Sequence, residues 1–324
     1  MDPERLIFAG PGNPEFARAV AESLGEGLGR MSLGRFPDGE VSLKVEVNVR
    51  GRDCFVIQPT CPPVNERLME LMIIVDALRR ASAYRVTAVV PYYGYARQDR
   101  KDQPRVPITA KLVADLLTRA GADRLLTMDL HAGQIQGFFD IPVDNLAGAP
   151  IFAKAVMALG FPELVVASPD VGGVKAARAF ARRLERMRKE RGAVAKVDFA
   201  IVDKRRTSAE EVAAVNIIGD VEGRSVAIID DIVSTGGSLV EAASLLLARG
   251  AVEVVAAVTH PILAGDAVDK IETSCLNALF VTDTVPLKEG VGGKIKVCSV
   301  APVFGAAIDA IYRNRSVSGL FDGG

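Results

Sequence analysis

Net charge is almost absent from this sequence. Its 39 lysines and arginines face 40 aspartates and glutamates, a formal charge of -1 at pH 7. Such a chain has no global field to steer it toward nucleic acid or an anionic membrane, so anion binding has to be local. Long apolar runs are missing too. The greasiest stretch, residues 239–258, is broken by Glu241, Arg249 and Glu253, and none reaches the ~18 residues of a membrane span. The opening MDPERLIFAG lacks the apolar segment of a secretory signal. Four cysteines (Cys54, Cys61, Cys275, Cys298) show neither metal-ligand spacing nor framework density, which predicts free thiols in a reducing cytoplasm. Low-complexity stretches and short-period repeats are absent, which excludes solenoids. Only two histidines occur, His131 and His260.

What is present suits two cores. A length of 324 residues predicts about two domains, and 49% apolar residues can fill both. Apolar runs of strand length occur at Cys54–Gln58, Val86–Val90, Arg124–Met128, Glu163–Ala167, Val197–Val202, Ser225–Ile229, Val252–Val258, Leu279–Thr282 and Ile295–Val300. Being apolar throughout, they predict strands buried on both faces of a parallel sheet.

Helical patterns lie between them. One starts at Asn65, a candidate N-cap, with Leu68, Leu71, Met72, Val75 and Leu78 at helical spacing. A second runs from Pro107 with Leu112, Val113, Leu116, Leu117 and Ala120 inward, and Gly121 can stop it. A third begins near Gly172 with Val174, Ala177, Phe180, Leu184 and Met187 inward; its basic face, residues 182–191, reads as solvated. A fourth spans Ser238–Arg249 and ends at Gly250. This alternation predicts an α/β protein of two similar doubly wound, mainly parallel-sheet domains. Their bounds are 1–147 and 148–300, with a C-terminal helix and tail at 301–324 that returns to the first domain. The seam falls in NLAGAPIF, residues 145–152.

One stretch carries the chemistry most openly: VAIIDDIVSTGGSL, residues 226–239. In a parallel sheet, ligands bind beyond the strand C-termini, beside helix N-termini. Ser234, Thr235, Gly236, Gly237 and Ser238 stand at such a point, where backbone N–H groups and the helix dipole favour an anion. The turn lacks lysine. Asp230 and Asp231 would repel the same anion, so they should face sugar hydroxyls, from which a carboxylate accepts hydrogen bonds. The stretch therefore reads as a site for a sugar with a terminal phosphate.

That pattern resembles the phosphoribosyl-diphosphate loop shared by type I phosphoribosyltransferases and ribose-phosphate diphosphokinases. Further segments separate the two families: FPDGE (36–40), PYYGYARQDRK (91–101), TMDLHAGQIQGFFDIPVDN (127–145), SPDVGGVKAARAFA (168–181) and IVDKRR (201–206). In this order, over nearly the whole chain, they resemble ribose-phosphate diphosphokinase, also called phosphoribosyl-diphosphate synthetase.

The segments also have a physical reading. Arg97, Arg100 and Lys101 put three cations in five residues, which suits a polyphosphate. Phe36 can stack on a base, while Asp38 and Glu40 can accept from an exocyclic amine. His131 follows an apolar strand two residues after Asp129, which by strand alternation puts both on one side. The pair can bind a divalent ion or position a phosphate. Because Mg²⁺ prefers oxygen ligands, contact through water or phosphate stays open for the histidine. His260 reads as structural, and Asp140 and Asp144 as loop structure. Lys204, Arg205 and Arg206 end a strand with more cations than a cap needs, and phosphoryl transfer needs positive charge. TSAEEVAAV after them (207–215) reads as a mobile lid.

The resemblance implies more. The fold would be two type I phosphoribosyltransferase-like domains, ATP on the first and ribose 5-phosphate on the second. Phe36, Asp38, Gly39 and Glu40 would meet adenine across a subunit boundary, with Arg97, Gln98, Arg100 and His131 on ATP. His131, Asp170 and Asp129 would serve Mg²⁺. Asp230, Asp231 and residues Ser234 to Ser238 would hold ribose 5-phosphate, with Lys204 catalytic and Arg206 assisting. Also implied are a hexamer built from dimers, activation by phosphate and inhibition by ADP, with Ser316 and Ser318 of RSVSGLF (315–321) as regulatory anion donors. Ser234 departs from the acid that many relatives carry, and the basic helix is longer than in many. A phosphoribosyltransferase would have no use for an ATP site. A catalytically dead regulatory homologue would be expected to have lost residues that are retained here.

Overall fold

The structure, a computed structural model, describes residues 4–192, 196–204, 215–288 and 290–322. The chain divides into two compact units. The first comprises Met1–Ala147, Asp283–Pro286 and Ser299–Gly324, and the second Gly148–Thr282 and Leu287–Cys298.

Unit 1 begins with β1 (Arg5–Ala9) and α1 (Pro14–Ser23). The antiparallel hairpin β2 (Met31–Arg35) and β3 (Val41–Val45) follows. Then come β4 (Asp53–Ile57), α2 (Val64–Arg80), β5 (Arg85–Val90), α3 (Thr109–Ala120), β6 (Arg124–Met128), a 3-10 turn at Gly133–Phe138 and β7 (Val143–Leu146). The main sheet is parallel in the order β1-β4-β5-β6-β7. β4 is buried at every position, as a strand covered on both faces must be. α1 is capped by Asn13, whose Oδ1 accepts from Phe16 N–H at 3.1 Å. α3 stops at Gly121, whose φ of 112° suits glycine.

Two helices differ from the expected pattern. α2 is capped at Pro63 rather than Asn65, because Asn65 Oδ1 instead accepts from the Tyr95 hydroxyl. In α3 the inward face is Ala110, Val113, Ala114 and Leu117, while Leu112 and Leu116 are exposed.

Unit 2 runs α4 (Ala149–Ala158), β8 (Leu164–Ser168), α5 (Val174–Glu190), β9 (Asp198–Lys204), β10 (Val215–Ile218), β11 (Ser225–Val233), α6 (Gly237–Ala248), β12 (Glu253–Pro261), α7 (Ala267–Thr273), β13 (Ala278–Val281) and β14 (Ile295–Val297). Its sheet order is β10-β9-β8-β11-β12-β13-β14, with β10 antiparallel to β9 and the other pairs parallel. Alternate residues of β11 serve different cores. Val226 and Ile228 join Leu239 and Leu246 of α6, while Ala227 and Ile229 join Phe180 and Leu184 of α5. The basic face of α5 is not wholly solvated. Arg188 is buried, and its guanidinium donates to the Phe161 carbonyl at 2.6 Å.

The chain re-enters unit 1 through α8 (Ala301–Tyr312), which lies against α1. Phe304 meets Phe16 edge-on at 5.4 Å, and Gly305 lies so near Ser23 that a Cβ would fall 2.1 Å from its Oγ. Arg5 bridges Glu26 and Asp309, and Arg85 donates to the Ile311 carbonyl at 3.2 Å.

Candidate active site

β11 does not end before its acids. It runs on through Asp230 and Asp231 to Val233, with Asp230 in register with Val258, and Ile232 with the buried His260. Asp231 N–H donates to Asp230 Oδ1 at 2.9 Å. Burial, then the neighbouring charge of Asp231, pushes the Asp230 carboxyl up to about 8; Asp170 adds to the repulsion. The turn that follows is held by Ala264 N–H, which donates to the Ser234 carbonyl at 2.9 Å. Gly236 takes φ 74° as the N-cap of α6, with no side chain capping the helix. A Cβ there would find its nearest neighbours at 3.6 Å, so backbone sign rather than space calls for glycine. First-turn N–H groups of an uncapped helix are suited to an anion.

Asp170 follows β8 and is exposed. Its Oδ1 accepts from Gly173 N–H at 3.1 Å, and its carbonyl from Ser168 Oγ at 2.7 Å. One carboxylate oxygen therefore already serves the entry to α5. Lys204 is the last residue of β9 and pairs with Val215 of β10. Its side chain, Arg205, Arg206 and residues 207–214 of the expected lid lie outside the described residues.

In unit 1 the hairpin turn presents Phe36, 53% exposed, together with exposed Asp38, Gly39 and Glu40. Phe36 N–H donates to the Glu40 carbonyl at 2.8 Å and Gly39 N–H to the Phe36 carbonyl at 2.9 Å. In the loop after β5, Arg97, Gln98 and Arg100 are exposed. Gln98 is partly engaged by α3: its carbonyl accepts from Ala110 N–H at 3.1 Å and its Oε1 from the Thr109 hydroxyl.

Contrary to the expectation from alternation, Asp129 and His131 do not share the face of a strand. β6 stops at Met128, and Asp129 takes a left-handed φ of 39°, so both belong to a loop. Asn145 Oδ1 accepts from Leu130 N–H at 3.1 Å and fixes that loop to β7, leaving His131 exposed. Asp144, expected in a loop, instead stands on β7, in register with Leu126, and pairs with Arg124. Ser316 and Ser318 share an exposed turn after α8, with Ser318 N–H donating to Ser316 Oγ at 3.1 Å.

Similarity to known proteins decides the family. The chain is 51% identical over 315 residues to the ribose-phosphate pyrophosphokinase of Wolinella succinogenes, covering 97% of this chain and 98% of that one. The chain belongs to the ribose-phosphate pyrophosphokinase family. The Bordetella parapertussis pyrophosphokinase is 52% identical over 319 residues, covering 98% and 99%. Residues 5–121 match the N-terminal domain of ribose phosphate pyrophosphokinase, and residues 200–322 the phosphoribosyl synthetase-associated domain. The crystal structure of phosphoribosylpyrophosphate synthetase from Mycobacterium smegmatis superposes with a TM-score of 0.88 at 37% identity, covering 96% and 99%. As a pyrophosphokinase the chain is an enzyme with the two-domain α/β fold of that neighbour.

Among the described residues no three His, Cys, Asp or Glu side chains gather to hold a metal by themselves. The carboxylates of unit 2 still fit one, because Asp230 adjoins Asp231 and lies near enough to Asp170 to feel its charge. Such a donor set suits a hard ion that keeps waters and phosphate oxygens as ligands. Two features of this pyrophosphokinase had no signal in the sequence. Gln134 Nε2 donates to Asp99 Oδ2 at 2.8 Å, and Arg35 is held by Glu66 and Glu70. No helix among the described residues is long and apolar enough to cross a membrane.

Proposed function

We propose that this pyrophosphokinase transfers the diphosphoryl group of ATP to the anomeric hydroxyl of ribose 5-phosphate. It releases AMP and 5-phosphoribosyl 1-diphosphate, for nucleotide biosynthesis in the cytoplasm. The observation that carries the division of labour is the C-terminal part of β11 and the turn after it: two acids, then a short turn into an uncapped helix N-terminus. The 5-phosphate binds the backbone N–H groups and hydroxyls of residues Ser234 to Ser238. The ring hydroxyls donate to Asp230 and Asp231. Phe36 stacks on adenine, with Asp38, Gly39 and Glu40 at its edge. Arg97, Gln98, Arg100 and His131 hold the triphosphate.

The anomeric oxygen then attacks the β-phosphorus in line. The bond from that oxygen to phosphorus forms, the α–β anhydride bond breaks, the hydroxyl proton is lost and AMP leaves. Lys204 and Arg206 stabilise charge spread over the moving group. His131, Asp129 and Asp170 would serve Mg²⁺, which would supply positive charge to the phosphate oxygens. A homohexamer with phosphate and ADP as effectors, acting near Ser316 and Ser318, completes the reading.

The test incubates the protein with ribose 5-phosphate, ATP and titrated Mg²⁺, with and without phosphate, and follows the nucleotide product. AMP formed in step with the sugar diphosphate is expected. ADP as the sole product, or AMP without dependence on ribose 5-phosphate, would defeat the reading.

A further inference from the structure

Glu70 of α2 is a carboxylate buried to 2% exposure. Its Oε1 accepts from Arg35 Nη2 at 3.1 Å and its Oε2 from Arg67 Nη1 at 2.8 Å. Gln58, fully buried just beyond β4, donates to the same Oε2 at 3.3 Å. Gln58 also accepts from Gly12 N–H at 2.7 Å, in the loop between β1 and α1. Arg35 ends β2 and faces two ways. Its Nη2 also donates to Glu66 Oε2 at 2.6 Å, and its Nη1 to the Gly39 carbonyl at 3.1 Å. One guanidinium thus ties the backbone of the Phe36–Glu40 turn to the carboxylates of α2.

The turn has need of such a tie. The hairpin is a two-stranded sheet of its own, and a lone hairpin is marginal without support. Its base is supported by partly buried Met31, Leu33, Leu43 and Val45, which lie against the unit 1 core. Residues 34–40 are all exposed, so apolar packing does not hold the tip. Burying Glu70 between two arginines carries a desolvation cost, and an apolar side chain would serve stability at least as well. What the carboxylate adds is a fixed point for a guanidinium whose other end holds the turn.

We propose that Glu70, acting through Arg35, is a positioning residue that sets the Phe36–Glu40 turn for the nucleotide base. The inference rests on the reading that this turn meets adenine. Glu70 and Arg35 touch no substrate. They fix the angle at which an exposed aromatic ring is offered, and so govern ATP affinity more than turnover.

Steady-state kinetics of the full chain test this with Arg35→Ala, Phe36→Ala and the double variant. Arg35→Ala should raise the KM for ATP on the order of tenfold, the scale of a lost charge-assisted hydrogen bond. The KM for ribose 5-phosphate and kcat should stay within about twofold, a split that general destabilisation would not produce. Arg35→Lys should recover only part of the loss, because it lacks the fork. The double variant should bind ATP no more weakly than Phe36→Ala alone, since both changes remove one interaction. Glu70→Gln should shift ATP affinity in the same direction; should it fail to fold, the half-exposed Arg35 variants decide the matter. Additive losses in the double variant, or equal changes for both substrates, would overturn the proposal. If Phe36→Ala left the KM for ATP unchanged, the base-binding reading would fall first and this inference with it.

Discussion

Gln134 Nε2 donates to Asp99 Oδ2 across 2.8 Å, joining the loop after β6 to the loop after β5. One loop carries His131 and the other Arg97, Gln98 and Arg100. The two candidate triphosphate loops are therefore not independent. Gln134→Ala should raise the KM for ATP by roughly threefold to tenfold, the scale of one net hydrogen bond, and leave the KM for ribose 5-phosphate unchanged. Unchanged ATP kinetics would make the bridge incidental.

Asp230 yields a pH prediction. An ordinary aspartate titrates near ~4, whereas Asp230 is pushed up to about 8, first by burial and then by Asp231. Between those values the folded chain keeps a proton that the unfolded chain has lost. Stability of the ligand-free protein should therefore fall as pH rises through that window and level off above it. Asp230→Asn should melt higher than the parent, by a gap that widens up to about pH 8, while losing affinity for ribose 5-phosphate. Thermal melts in chelator across pH check this; parallel curves would refute it.

Asp170 has two separable duties. Its Oδ1 receives Gly173 N–H at the start of α5, and in the proposed mechanism its charge serves Mg²⁺. Asp170→Asn should keep the hydrogen bond and the melting temperature but need more Mg²⁺ for half-maximal rate. Asp170→Ala should lose ~0.5–1.5 kcal/mol of stability as well, the net worth of one hydrogen bond. A metal titration and a melt on each variant separate the outcomes.

Lys204→Ala should lower kcat by ~10³–10⁵, as for other cationic groups acting on a transferring phosphoryl group. Both KM values should change far less. Near-normal turnover would remove Lys204 from the mechanism.

The strands easiest to read in the sequence are interior ones such as β4, β5, β8, β11 and β12. Both faces of such strands are covered, so apolar residues run unbroken. The strands missing from those apolar runs, β1, β7 and β10 with the hairpin pair β2 and β3, stand at sheet edges. There a short segment such as VDNL of β7 carries polar residues that turn its signal into that of a loop. In the candidate site, the residues that the sequence singles out have a chemical signature of their own: the paired acids, the glycine turn and the cationic runs. Contacts that hold them have none. Arg35 reaches Glu70 across 35 residues and Gln134 reaches Asp99 across 35, with no local pattern to announce either. The break at Asp129 was missed because alternation assumes that the strand continues.

The lodging of α8 against α1 bears on how the protein is made. Phe16, Ala17, Val20 and Ala21 of α1 are buried, with Phe304 fully buried against Phe16. That cover comes from a segment made after the whole second unit. Unit 1 is thus interrupted by unit 2 in chain order, and its apolar flank stays open while the whole second unit is being synthesised. A chain cut short before Ala301 would keep that flank bare, a greasy face exposed to chaperones and proteases even if every proposed catalytic residue were in place.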